Sequence, residues 1–104
     1  MILVLLLALG FAAAGQTVST ADLFRDAARA LQAGNLETAE RGFRQVLQRE
    51  PDNIGALGNL GVLYSRAGRP AQAVEVYLRA LKLAPRQPGL LLNLSLAYLK
   101  LDNY

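Results

Sequence analysis

The chain is 104 residues long, room for one domain at most, and its eleven Lys or Arg against eight Asp or Glu leave a net charge of +3. It has no cysteine and no histidine, which removes a disulfide framework, a thiolate or imidazole metal site and a lipid-modified cysteine behind the leader. Nine of the eleven cations are arginine, scattered over helix faces beyond residue 21 and not interleaved with aromatics, so nucleic acid is not an expected partner.

Residues 1–14 (MILVLLLALGFAAA) are apolar and uncharged, and the polar stretch GQTVST follows. Such a run ending in small residues reads as a secretory signal, cut before Gly15 or before Gln16. No basic residue precedes the apolar run, which leaves the terminal amine as its only positive group. As a helix, fourteen residues reach about 21 Å, short of the ~30 Å hydrocarbon core. Counting through Ala21 would reach about 31 Å, but that span includes Gln16, Thr17, Ser19 and Thr20. Residues 1–15 are therefore expected to be a signal peptide or membrane anchor, and residues 16–19 a linker. The destination is periplasmic or extracellular; a membrane is a partner only if the leader is kept, as an anchor facing the periplasm.

The first helix is expected near Ser19 or Thr20, with Ser19 and Asp22 spaced as a capping box and Leu23, Ala27, Ala30 and Leu31 on one face. Gly34-Asn35 turns the chain. Asn35 is placed to cap a second helix to about Gln48, with Leu36, Ala39, Phe43, Val46 and Leu47 buried. Pro51 stops it. The third helix, Ile54 to about Arg66, carries Leu57, Leu60, Gly61 and Tyr64. Its glycines Gly55, Gly58 and Gly61 each cost roughly 1 kcal/mol relative to alanine and so need a reason; close helix packing is the one expected at Gly61. The fourth helix opens on Pro70 and runs to about Ala84, burying Ala73, Val76, Tyr77, Ala80 and Leu81. The fifth opens on Pro88, with Leu91, Leu94, Tyr98 and Leu101 expected to face a following helix.

These elements are one unit repeated. Residues 20–53 and 54–87 align without a gap over 34 positions, and residues 88–104 begin a third copy. Leu23, Leu57 and Leu91 share the fourth position, Gly34 and Gly68 the fifteenth, Ala39 and Ala73 the twentieth, Phe43 and Tyr77 the twenty-fourth, and Pro51 and Pro85 the thirty-second. A period of this length with two helical patterns per copy marks a stacked helical array. The pattern resembles the tetratricopeptide repeat over residues 20–104, with leucine where that family usually has an aromatic at the fourth position. An all-α helix-turn-helix solenoid of two full repeats plus the first helix of a third is the expected fold. The chain reads as the front of a longer array, or as one that self-associates through its open last helix.

No chemistry for catalysis is visible. Ser19, Ser65 and Ser95 have no base at a recognisable spacing, Asp22 with Asp26 reads as a solvated face, and GALGNLG follows no strand and so is no phosphate loop. No enzyme and no cofactor is expected. The resemblance instead implies that the first helices line a concave groove for a peptide or partner helix, through positions two, five, six, nine and thirteen. By resemblance these are Phe24, Arg25, Ala28 and Gln32 with Ala21; Gly55, Gly58, Asn59, Val62 and Arg66; and Leu92, Asn93, Leu96 and Lys100 with Gly89. Arg25, Asn59 and Asn93 would form one polar ladder; Gln32, Arg66 and Lys100 would form a partly cationic second. Gly55 and Gly58 are expected to leave the middle of the groove open. The carboxylate clamp found in part of the family is not expected: it requires lysine and asparagine where Phe24 and Ala28 stand, and lysine and arginine at Gly89 and Asn93. The implied function is an exported interaction scaffold, with a non-catalytic arm of a longer enzyme or a membrane-tethered assembly factor as alternatives.

Overall fold

A computed structural model of the chain describes residues 17–103; the expected signal peptide or anchor lies outside the described residues. Five helices follow one another: α1 (Thr20–Gln32), α2 (Leu36–Arg49), α3 (Ile54–Arg66), α4 (Pro70–Leu83) and α5 (Pro88–Asp102). Each packs antiparallel-fashion on its sequence neighbour, with further contacts between α1 and α3 and between α3 and α5. This is a helical repeat solenoid in which α1–α2 and α3–α4 are full repeats and α5 is the first helix of a third.

The turn inside each repeat follows from one glycine. Gly34 at φ 79° and Gly68 at φ 72° are left-handed, a conformation that carries little steric penalty only without a Cβ. The amides then reach back to the orphan carbonyls of the helix end: Gly34 N to Leu31 O at 3.0 Å and Asn35 N to Ala30 O at 2.8 Å, repeated by Gly68 N to Ser65 O and Arg69 N to Tyr64 O. At α1 the capping box forms by half. Ser19 Oγ accepts from Asp22 N at 3.1 Å, while the Asp22 carboxylate pairs with Arg25 at 2.8 Å. Asn53 caps α3, its Oδ1 accepting from Ala56 N at 2.9 Å. Asn35 stands at the α2 N-cap without a side-chain bond. Held at ψ 79° by the preceding turn, against 154° at Ser19, it does not cap as expected.

The core runs along the seam between first and second helices. Ala39 and Ala73 are fully buried, letting backbones approach. The expected reason for Gly61 holds: a Cβ there would lie 2.2 Å from the Tyr77 ring. In the first repeat Ala27 occupies the Gly61 position, and the close approach is made by Gly42, the counterpart of Val76, where a Cβ would meet Ala27 at 2.7 Å. Phe24 meets Phe43 edge-on at 5.5 Å, a favoured aromatic geometry.

The α5 face needs correction. Leu90 and Ala97 are buried, and Leu94 is half-buried against the same core, so the α4–α5 seam is Leu90, Leu94 and Ala97. Leu91 and Tyr98 point away from it and are 46% and 45% exposed. Leu94 thus lies on the seam, not on the outward face. The reason is that first helices use positions three, seven and ten toward the preceding repeat, as Ala56, Leu60 and Leu63 of α3 also do.

Candidate functional site

The first helices α1, α3 and α5 stand side by side, so positions repeating every 34 residues form rows across them. Two adjoining cavities lie between α3 and α5. One, of about 320 Å³, is lined by Val62, Arg66, Asn93, Leu96 and Lys100 together with Ser65, Tyr77 and Leu99. The other, of about 280 Å³, is lined by Gly55, Gly58, Asn59, Val62 and Asn93, with Leu90. Eight of the thirteen expected groove residues therefore meet on one face, Val62 and Asn93 belonging to both cavities. Phe24 and Gly55 line a third, of about 410 Å³, toward α1. Arg25, Ala28, Gln32 and Leu92 line none of the three.

The glycines do not leave the middle open in the way expected. A Cβ on Gly55 would meet Phe24 Cε2 at 3.1 Å, and one on Gly58 would meet Leu90 Cδ2 at 3.5 Å. The space beside each is taken by a side chain of the neighbouring repeat, because successive first helices close on one another at just these positions.

The rungs of the first ladder differ in what they have free. Arg25 is held by Asp22 at 2.8 Å and by Asp26 at 3.4 Å, so its charge is locally neutralised and the Asp22–Asp26 pair is bridged by a cation. Asn59 Nδ2 donates to Gly55 O of its own helix at 2.8 Å, leaving its Oδ1 as acceptor. Asn93 stands at the Tyr77 hydroxyl: burial pushes the Tyr77 phenol above its ordinary value, and hydrogen bonds from Ser65 and Asn93 oppose that shift. The spacing of Tyr77 places it in the core. Its ring does cross over Gly61, and Tyr77 is also among the residues that line the 320 Å³ cavity. The glycine at Gly61 is the one sequence signal for that passage.

The second ladder turns inward. Arg66 Nη1 donates to Leu31 O at 3.0 Å, and Lys100 Nζ donates to Ser65 O at 3.3 Å. Each cation at position thirteen thus reaches the carbonyl at position twelve of the preceding repeat. That carbonyl already accepts from the turn glycine and lies at the negative end of the helix dipole.

A polar junction sits outside these cavities, between α2 and α3. Tyr64 Oη donates to Glu40 Oε2 at 2.9 Å, Arg44 Nη2 donates to the same oxygen at 2.9 Å, and Arg69 Nη1 approaches Glu40 Oε1 at 3.3 Å. The Arg69 guanidinium also lies over the Tyr64 ring at 4.6 Å. Burial raises the Glu40 carboxyl, but bonds from Tyr64, Arg69 and Arg44 outweigh it and hold the group below its ordinary value. For Tyr64, burial and the Glu40 acceptor raise the phenol. By position Glu40 lies in the first turns of α2, where a carboxylate complements the helix dipole; its partners on α3 and at Arg69 are not visible from that position.

Comparison with known proteins agrees with this geometry. The Tetratricopeptide repeat family model matches residues 30–88, more than half of the chain. Photosystem I assembly protein Ycf3 of Synechococcus sp. (strain CC9605) is 31% identical over 80 residues, covering 74% of this chain and 46% of that protein. Protein O-mannosyl-transferase TMTC3 of Mus musculus is 35% identical over 66 residues, 64% of this chain and 7% of that protein. The chain thus spans about half the length of the first relative and a small part of the second. Repeats of this family generally bind proteins or peptides. By its 34-residue period, its paired helices and the family match, the chain belongs to the tetratricopeptide repeat family.

Proposed function

We propose that this chain is an exported interaction scaffold that holds a segment of a partner protein on its concave face, between α3 and α5, and has no catalytic role. The observation that carries the reading is the 320 Å³ cavity lined by the apolar Val62, Leu96 and Leu99 together with Asn93 and Tyr77. An apolar wall with a few fixed polar groups is the composition of a binding pocket, and a side-chain amide both donates to and accepts from a bound backbone. Of the expected contacts, Val62, Asn93 and Leu96 carry the most weight; Arg66 and Lys100 rim the same cavity while engaged with carbonyls. Export rests on the apolar residues 1–14. The relation to a photosystem assembly protein supports a role in bringing other proteins together. A second reading, a non-catalytic arm of a longer enzyme, draws on the mouse transferase, in which the matched repeats make up a small part of the whole.

Selection of random peptides against the chain tests the concave-face reading. Selected peptides should bind at least tenfold more weakly to Asn93→Ala and Val62→Ala, and unchanged to Arg79→Ala on α4. Binding lost in Arg79→Ala and kept in the other two would move the site to the outer face and refute the proposal.

A further inference from the structure

A cavity of about 420 Å³ opens on the outer face, between α2 and α4. No Cα of α2 comes within 8 Å of one in α4, so the two second helices stand apart and α3 lies behind the gap. Each of these three helices packs against a neighbour on both sides, so the cavity belongs to the two full repeats and owes nothing to the uncovered face of α5. It shares no lining residue with the concave cavities.

The apolar part of its lining is Leu60 and Val76, both buried, and the half-buried Leu47. The polar part is rich in donors with nothing to bond. Arg44 is fixed on one side, its Nε and Nη2 donating to Glu40 Oε2 at 3.2 and 2.9 Å and its Nη2 also to Tyr64 Oη at 3.1 Å. Its Nη1 has no partner among the described residues. Gln72 Oε1 accepts from Arg69 Nε, which leaves the Gln72 amide nitrogen to donate elsewhere. Arg79 stands four residues after Glu75 on α4, the spacing of a helical ion pair, yet neither forms an ion pair among the described residues. Tyr64 spends its hydroxyl on Glu40 and Arg44. Glu75 is the one carboxylate in the lining.

We propose that this cavity binds an amphipathic monocarboxylate, its acid group between Arg44 and Arg79 and its apolar body against Leu47, Leu60 and Val76. A guanidinium offers paired donors that match a carboxylate, and a concave site of this volume with a partly apolar lining suits a small ligand or one side-chain cluster. Glu75 on the same lining repels a second negative charge, which favours a monoanion over a phosphate dianion. The polar junction gains a use here: by holding Arg44 in place before the ligand arrives, it removes part of the ordering cost of binding. The same chemistry is offered by a free organic acid and by an acidic side chain beside a leucine on a partner protein.

Sodium octanoate is the probe, titrated into the isotopically labelled chain and followed by amide chemical shifts. Half-saturation is expected at about 1 mM, as befits a small ligand and too weak to survive a peptide selection. Arg79→Gln removes a charge that no ion pair holds, so the fold is kept; it should raise the half-saturating concentration at least fivefold. Arg44→Gln should do the same, and the Arg79 variant keeps the test decisive if the junction is disturbed. Octylammonium should leave the amides around Leu47, Leu60 and Val76 unshifted, and inorganic phosphate should not displace octanoate. Shifts confined to α5, indifference to both variants, or an equal response to octylammonium would each overturn the site. Displacement by phosphate would make it a general anion patch and overturn the monocarboxylate assignment. A blocked tripeptide of leucine, glutamate and leucine identifies the source: tighter binding than octanoate assigns the acid to a partner's side chain, weaker binding to a free acid, and both support the site. Since the two sites share no residue, Asn93→Ala should leave octanoate binding unchanged, and failure of one reading is told apart from failure of the other.

Discussion

Replacing Arg66 by glutamine separates a stacking role from a ligand-binding one. In the structure its guanidinium spends one donor on Leu31 O at 3.0 Å, a carbonyl in the last turn of α1 where uncompensated negative charge accumulates. A buried bond of this charged kind is worth about 1.5–3 kcal/mol. Arg66 is exposed, so solvent screening brings the figure down to about 0.5–1 kcal/mol. For a domain of this size that is a fall in melting temperature of roughly 2–8 °C, read by circular dichroism at 222 nm. Arg66→Lys should keep most of the stability, because Lys100 makes the equivalent contact to Ser65 O in the next repeat. Raising the salt to about 1 M, where the screening length falls to ~3 Å, should shrink the difference between variant and wild type. A melting temperature within one degree of wild type, together with tenfold weaker peptide binding, would refute the reasoning and return Arg66 to the ligand.

Two further substitutions read the packing and the polar junction. Gly61→Ala should lose about 2 kcal/mol in urea unfolding, because overpacking against the Tyr77 ring outweighs the ~1 kcal/mol gained in helix propensity. Gly58→Ala, with an ordinary 3.5 Å contact to Leu90, should gain about 0.5–1 kcal/mol, and equal effects at the two sites would contradict the geometry. Glu40 gives a pH dependence. Burial alone would raise its carboxyl, but Tyr64, Arg69 and Arg44 together depress it below 4.5. The stabilisation is therefore present above about pH 4.5 and lost as pH falls through the depressed folded value. Glu40→Gln should lower stability near pH 7 by about 1 kcal/mol and flatten the decline below about pH 4.5; urea midpoints across the acid limb would show an unchanged slope if the network were idle.

The helices were legible because their ends are written in residues with one physical use. Gly34 and Gly68 allow a left-handed turn, Pro70 and Pro88 suit a first helical position, and Asn53 caps; the starts of α3, α4 and α5 fall where these residues place them. What stayed hidden depends on partners from another repeat. Periodicity places Tyr77 in the core because its ring is there, but its share in a cavity lining depends on α5. Gly42 is a case within one repeat: it answers Ala27 on the partner helix, fifteen residues away, and not a turn. Arg66 and Lys100 read as groove cations because a spacing of 34 shows a row and not what lies behind it. Leu94 was set on the wrong side of α5 because position seven points toward the preceding repeat, a direction only the stacked helices reveal.

The junction at Glu40 also acts as an address. Thirty-four residues on, its place and that of Arg44 are taken by Val74 and Leu78, and the place of Arg69 by Asn103. The surface that α2 presents to its neighbour is therefore ionic, while the one α4 presents is greasy. A chain that stacked its third unit directly on its first would confront the Glu40 carboxylate with Asn103 in place of the Arg69 guanidinium, leaving Arg44 of its own helix as its one cationic partner. Modules of one fold strung on one polymer invite such shuffling, and unlike seams favour one order of assembly.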